Sequence, residues 1–186
     1  MEVADQLYGA GLRYYALALH AAGQFERVVL EVTDEVVSLD KQAAFAKALG
    51  VEKLQGRGAS LDRPNVTQMR DTTISNFWAW SGKQFWAENV GLIFFGLLVS
   101  KGSPYASVAF SGSRRAFRDS LHEALKESDL KLKESDLKWY YDKSSGETVV
   151  QKSLAESKRV QDFQNALSSL IDAVVDALSH SPVGRT

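Results

Sequence analysis

Residues 77–100 read FWAWSGKQFWAENVGLIFFGLLVS, and how this run folds sets the class of the whole molecule. It holds three of the four tryptophans, Trp78, Trp80 and Trp86, and closes with the uncharged stretch Asn89–Ser100. At about 100° per residue of an α-helix, Phe77, Trp78, Phe85 and Trp86 share a broad arc with Ile74. Trp80 falls off that arc, beside Asn76, Lys83, Gln84 and Ala87. The spacing predicts a central helix or helix pair from Met69 to about Ser100, weakest at Gly82, Gly91 and Gly96. Gly102-Ser103-Pro104 ends it. Aromatics clustered on one helical arc belong to a core, so Trp80 either meets another element or is used for binding.

Downstream, Tyr105–Phe110 is expected to be short and extended, and a helix begins at Ser113-Arg114-Arg115-Ala116 and runs through Leu121 and Leu125. Leu125–Lys131 and Leu132–Lys138 are the same seven residues, LKESDLK, in tandem. Two heptads are too few for a coiled coil, and the pair reads as a local duplication in a solvated segment. Residues 138–151 are expected to form a β-hairpin, with aromatic and β-branched arms about Ser144-Ser145-Gly146. The last helix carries Leu154, Val160, Phe163, Leu167, Leu170, Ile171, Val174 and Leu178 as one stripe, and Pro182 follows it.

Upstream, Val3, Leu7, Gly11, Tyr14, Leu17 and Ala21 follow helical spacing and predict a helix from about 3 to 22 that stops at Gly23. Phe25, Val28, Val29, Val32, Val36 and Leu39 extend helical intervals through 25–37, despite a β-branched content that also suits a strand. A short helix over 40–49 ends at Gly50. Residues 55–66, QGRGASLDRPNV, read as a basic loop. The expected fold is therefore mainly α: a single-domain helical bundle over 1–182, with a small hairpin before the C-terminal helix and a flexible tail at 183–186.

Composition narrows the function. At 186 residues with 45% hydrophobic and 24% charged residues, the chain can bury a full core as one domain. It has no cysteine, which removes disulfides, thiolate metal sites and cysteine nucleophiles and leans toward a reducing, cytoplasmic setting. The N-terminus lacks the basic start and long apolar run of a secretory signal. Asn89–Ser100 is shorter than the roughly 20 apolar residues of a spanning helix.

Charge is unevenly laid out beneath a net −1: residues 53–118 hold nine basic residues against three acids, and both flanking segments are acidic. Local charge steers partner choice. No HExxH, GxSxG, P-loop or dinucleotide fingerprint occurs, and His20, His122 and His180 lie in separate elements without metal-like spacing. Glu156-Ser157-Lys158 has the E-x-K spacing of some nucleases, without a second carboxylate placed on a strand. No cofactor is implied.

These residues point to a non-catalytic interaction or assembly subunit. Its expected contact surface combines Trp80 and Lys83 with Arg57, Arg63, Arg70, Arg114, Arg115 and Arg118. Basic side chains neutralise phosphates while aromatic faces stack bases, so nucleic acid or an acidic partner is expected beside other protein subunits, with homo-oligomerisation open. Two other readings stand alongside: a membrane-active or lipid-binding helical effector using the 85–99 segment, and a hydrolase or nuclease with a dispersed site near His20 or His122.

Overall fold

The computed structural model describes residues 2–62, 78–128 and 136–180. Along the chain come α1 (Glu2–Val36), α2 (Leu39–Leu49), β1 (Gln55–Asp62), β2 (Trp78–Ala87), β3 (Gly91–Ser100) and β4 (Ser103–Ser111). Then follow α3 (Arg115–Glu127), β5 (Leu137–Asp142), β6 (Glu147–Ser153) and α4 (Val160–Ser179). The strands form one six-stranded antiparallel sheet in the order β1-β2-β3-β4-β6-β5.

The helical bundle expected from the sequence is thus overturned, and the run 77–100 is where it fails. Its described part, from Trp78 on, is two full strands and a turn, with Trp78 paired to Ser100 and Ala87 to Gly91. The turn between them places Asn89 at φ 64 and Gly91 at φ 101, conformations that asparagine and glycine tolerate and a helix interior forbids. The next connection is a two-residue hairpin loop, Lys101-Gly102, with both residues at positive φ (52 and 74) and Ser100 paired to Ser103. Such primed turns match the twist of the flanking strands. The basic loop expected over 55–66 is strand β1 as far as Asp62, with a register shift between Gly56 and Gly58 that absorbs Arg57 as a bulge.

The four described helices pack on one face of this sheet. The Val29, Val32 and Val36 side of α1 is buried there, so α1 passes straight through Gly23, where the sequence suggested a stop. α2 is capped at both ends: Ser38 Oγ accepts from the Lys41 amide at 3.4 Å, and Gly50 closes it at φ 70. Its Phe45 meets Phe95 edge-on at 5.0 Å and Phe110 at 6.1 Å. Lys41 Nζ ties α2 to α4 through Asp172 Oδ1 (2.6 Å) and Ser168 Oγ (2.9 Å).

α4 buries Phe163, Leu167, Leu170, Ile171, Val174 and Leu178, as its stripe predicts. The Asp162 carboxylate accepts the Lys158 and Arg159 amides at 2.9 and 3.0 Å and starts the helix, which holds that carboxyl below its ordinary range. The hairpin at 138–151, the extended 105–110, the helix from Arg115 and the helical reading of 25–37 all agree with the structure. The second LKESDLK copy lies mostly outside the described residues, as does the tail.

Candidate functional site

Strand geometry sends successive side chains to opposite faces, and β2 divides its residues accordingly. Phe85 and Ala87 point into the helix-covered core, and Lys83 reaches Asp34 of α1 at 2.9 Å on the same side. Trp78, Trp80, Gln84 and Trp86 take the other face. There a separate apolar cluster is built from sheet residues alone: Phe94, Leu98, Ala109 and Val149, with Trp80 and Tyr105 packed against it. Tyr140 on β5 lies in the same row as Val149 and Ala109 and is 38% exposed, as is Trp78.

The centre of this face is flattened by a pair of glycines. Gly82 and Gly96 lie opposite each other, and a Cβ on Gly82 would stand 2.8 Å from Gly96 Cα and 2.9 Å from the Phe94 ring. The ring of Phe94 lies over the glycine pair, and Trp80 meets that ring edge-on at 4.9 Å. Beside them is a small groove of about 80 Å³ lined by Ser60, Trp80, Gln84, Leu92, Phe94 and Glu147. Along the same central row Ser107 pairs with Gln151 across β4 and β6. Ser107 Oγ and Gln151 Oε1 are buried with no hydrogen-bond partner. An unmet buried polar group costs about 1–3 kcal/mol, so the two destabilise this part of the sheet unless they meet each other or a group outside the described residues.

At one end of the face the Arg57 guanidinium sits 5.8 Å from the Trp86 ring centroid. At the other, Lys138, Tyr140 and Asp142 of β5 share the row side. Burial, then the Asp142 and Glu147 charges, raise the Tyr140 pKa. Asp142 is itself held low by the Ser144 hydroxyl and amide, at 2.6 and 2.8 Å.

Of the eight residues expected to form one surface, the six that lie among the described residues do not share one. Trp80 and Arg57 lie on the helix-free face; Lys83 is on the opposite face, paired with Asp34. Arg114 precedes α3 and is exposed, Arg115 lies 3.6 Å from Asp119, and Arg118 donates to Tyr141 Oη at 3.1 Å while facing its ring at 5.2 Å. Arg63 and Arg70 lie outside the described residues. Trp78 and Trp86, assigned to a core arc by helical angles, instead flank Trp80 on the open face. The signal that finds them is the period-2 spacing of positions 78, 80, 84 and 86.

A second polar cluster joins α3 to the β5–β6 hairpin. His122 Nε2 lies 2.9 Å from Thr148 Oγ1, and its ring packs on Trp139 (5.4 Å) and Tyr141 (5.3 Å). Burial, then Arg118, depress its pKa. These contacts dock the hairpin. Among the described residues no cluster of His, Asp and Glu could hold a metal ion, and no helix is long and apolar enough to cross a membrane. The 85–99 segment of the membrane reading is the β2–β3 hairpin at the sheet centre. No family model, curated protein or solved structure matches the chain.

Proposed function

We propose that the protein works by contact, as a non-catalytic binding or assembly module whose partner docks on the helix-free face of the sheet. One observation carries this: Trp78, Trp80 and Trp86 line that face of one strand, joined by Tyr105 and Tyr140, with the described helices all on the other side. Aromatic anchors of this kind supply most of the free energy at protein interfaces. The partner is a polypeptide presenting apolar side chains. The cysteine-free composition favours a cytoplasmic setting for this work.

Single-stranded nucleic acid is the second reading, favoured by the Arg57–Trp86 stack. Among the described residues of the face's rows, only Arg57 and Lys138 bring basic groups, against Asp142 and Glu147. Two phosphate contacts at about 0.7 per phosphate give a shallow salt slope of roughly −1.4.

Selecting a random peptide display library on the protein tests the first reading. Selected peptides are expected to carry apolar or aromatic residues and to lose at least about tenfold in affinity to Trp80→Ala. Binders indifferent to Trp78, Trp80 and Trp86 overturn it. So does steeply salt-dependent oligo(dT) binding that depends on Arg114, Arg115 and Arg118.

A further inference from the structure

Helix α1 has two unlike halves. Near its C-terminal end Val29, Val32 and Val36 are buried against the body. From Leu17 to Ala21 five consecutive residues, more than a full turn, are exposed, so among the described residues nothing covers this part of the helix from any side. Leu17 is 64%, Leu19 48% and Phe25 55% exposed. An apolar helix that stands free in water is unstable unless its apolar face is covered.

The pattern says what covers it. Counting heptads from Ala4 as position a, the a positions are Ala4, Gly11, Ala18, Phe25 and Val32, and the d positions are Leu7, Tyr14, Ala21 and Val28. The a/d pattern runs through four heptads, the length a coiled-coil seam needs, and lacks the e/g charges that set partner choice in many coiled coils. The seam that enters the core at Val28 and Val32 therefore continues outward along the whole arm. Between Val3 and Leu30 the a, d, e and g positions contain no charged residue and no histidine. Asp5, Arg13, His20, Glu26 and Arg27 all fall at b or c. A second copy of the same seam thus meets no like charge.

The root of the arm supplies the other half of the fit. A largely apolar groove of about 480 Å³ opens there, lined by Phe25, Val28, Leu97, Pro104, Val160 and Phe163. In an antiparallel pair of arms centred on residue 16, a positions face d positions. Tyr14 then lies opposite Ala18, Gly11 opposite Ala21, Leu7 opposite Phe25 and Ala4 opposite Val28. Large residues meet small ones along the middle, and the tip of each arm reaches the groove of the other copy, about 36 Å from its own root. Contact over that length, with four of seven positions covered, is on the order of the 800 Å² per partner of a stable interface.

We infer that the protein self-associates as a two-fold dimer through antiparallel pairing of its α1 arms, each tip seated in the groove at the root of the other. The inference is independent of the sheet-face reading, since the arm and the aromatic face are different surfaces.

Sedimentation equilibrium of the full chain is expected to give twice the 20.5 kDa chain mass. Ala18→Asp, at an exposed seam position, is expected to weaken the dimer at least about tenfold, with the urea midpoint of the body unchanged. Ala16→Lys, on the outer face, leaves it intact. Because the native chain has no cysteine, Leu7→Cys and Phe25→Cys chains give an unambiguous register test: mixed, they cross-link to each other, while neither cross-links to itself. A chain that stays monomeric at about 100 µM overturns the inference, and flotation with anionic vesicles would then assign the arm to a lipid surface. Self-association indifferent to Ala18→Asp, or cross-linking of Leu7→Cys to itself, also overturns it.

Discussion

On the helix side of β2, Ser81, Phe85 and Ala87 are buried, Phe85 under Phe95 at 5.6 Å; on the other side Trp78, Trp80, Gln84 and Trp86 alternate with them and stay partly open. One strand therefore serves two purposes on a two-residue period. The helix-covered face pays for folding by removing apolar area from water. On the other face Phe94, Leu98, Ala109 and Val149 are buried as well, while Trp78 and Tyr140 stay 38% exposed, and that aromatic area is what a partner can cover. Substitutions on the two faces should therefore separate into losses of stability and losses of binding.

The largest effect is expected from Phe95→Ala on the covered face. Phe95 is 1% exposed and packs on both Phe45 and Phe85, so a loss of about 4 kcal/mol in urea denaturation is expected. Next comes Gly82→Ala: the added methyl collides with the β3 backbone and the Phe94 ring, and about 3 kcal/mol is expected by the same measurement. A value near zero would mean that β2 and β3 are not paired in this register.

Trp80→Ala should cost only about 1 kcal/mol of stability, through the lost edge contact with Phe94, while its effect on partner affinity is the larger. Equal losses on both faces would erase the distinction.

The sequence revealed unequal amounts of this. α2 and α4 were legible because a serine cap, a closing glycine and a long 3.6-residue stripe all agree. The 138–151 hairpin was legible from its alternating arms. The β2–β3 pair was not. Its apolar run Gly91–Val99 is buried on both faces, and such a run has no period to separate a strand from a buried helix. Its tryptophans also fall at spacings that imitate a helical arc. The turn residues were the decisive signal: Asn89 and Gly91, then Lys101-Gly102, occupy positive φ. β1 was hidden by its own bulge, since Gly56 and Gly58 read as loop formers when they serve to admit Arg57.

Of the residues on the proposed binding face, the sequence reading singled out Trp80 and Arg57 and passed over Trp78, Trp86, Phe94, Tyr105 and Tyr140. Lys83 was misplaced by one step of the alternation, because a helical reading puts neighbouring residues on one surface that a strand sends to two.

The smallest expected effect concerns the covered face and pH. His122 packs between α3 and the hairpin, with Arg118 and Lys126 opposing its charge and Asp119 and Glu123 favouring it. Its folded pKa lies below the ordinary 6.5. Its contribution to stability is therefore present above that pH and declines as pH falls through the folded value. His122→Asn should flatten that decline in urea midpoints taken from pH 7.5 to 5 (roughly the range over which histidine titrates). An unchanged slope would place the titration elsewhere.

The open face itself is tested most directly by thiol labelling, because the natural chain has no cysteine. Single-cysteine chains Gln84→Cys and Ala87→Cys place a thiol on opposite faces of the same strand. A maleimide is expected to react with the first at close to the rate of an unfolded peptide, and its adduct should abolish partner binding. The second, at a residue 0% exposed, should react only through opening of the fold. Protection of both thiols, or partner binding that survives the adduct at position 84, would contradict the assignment of this face as the binding surface.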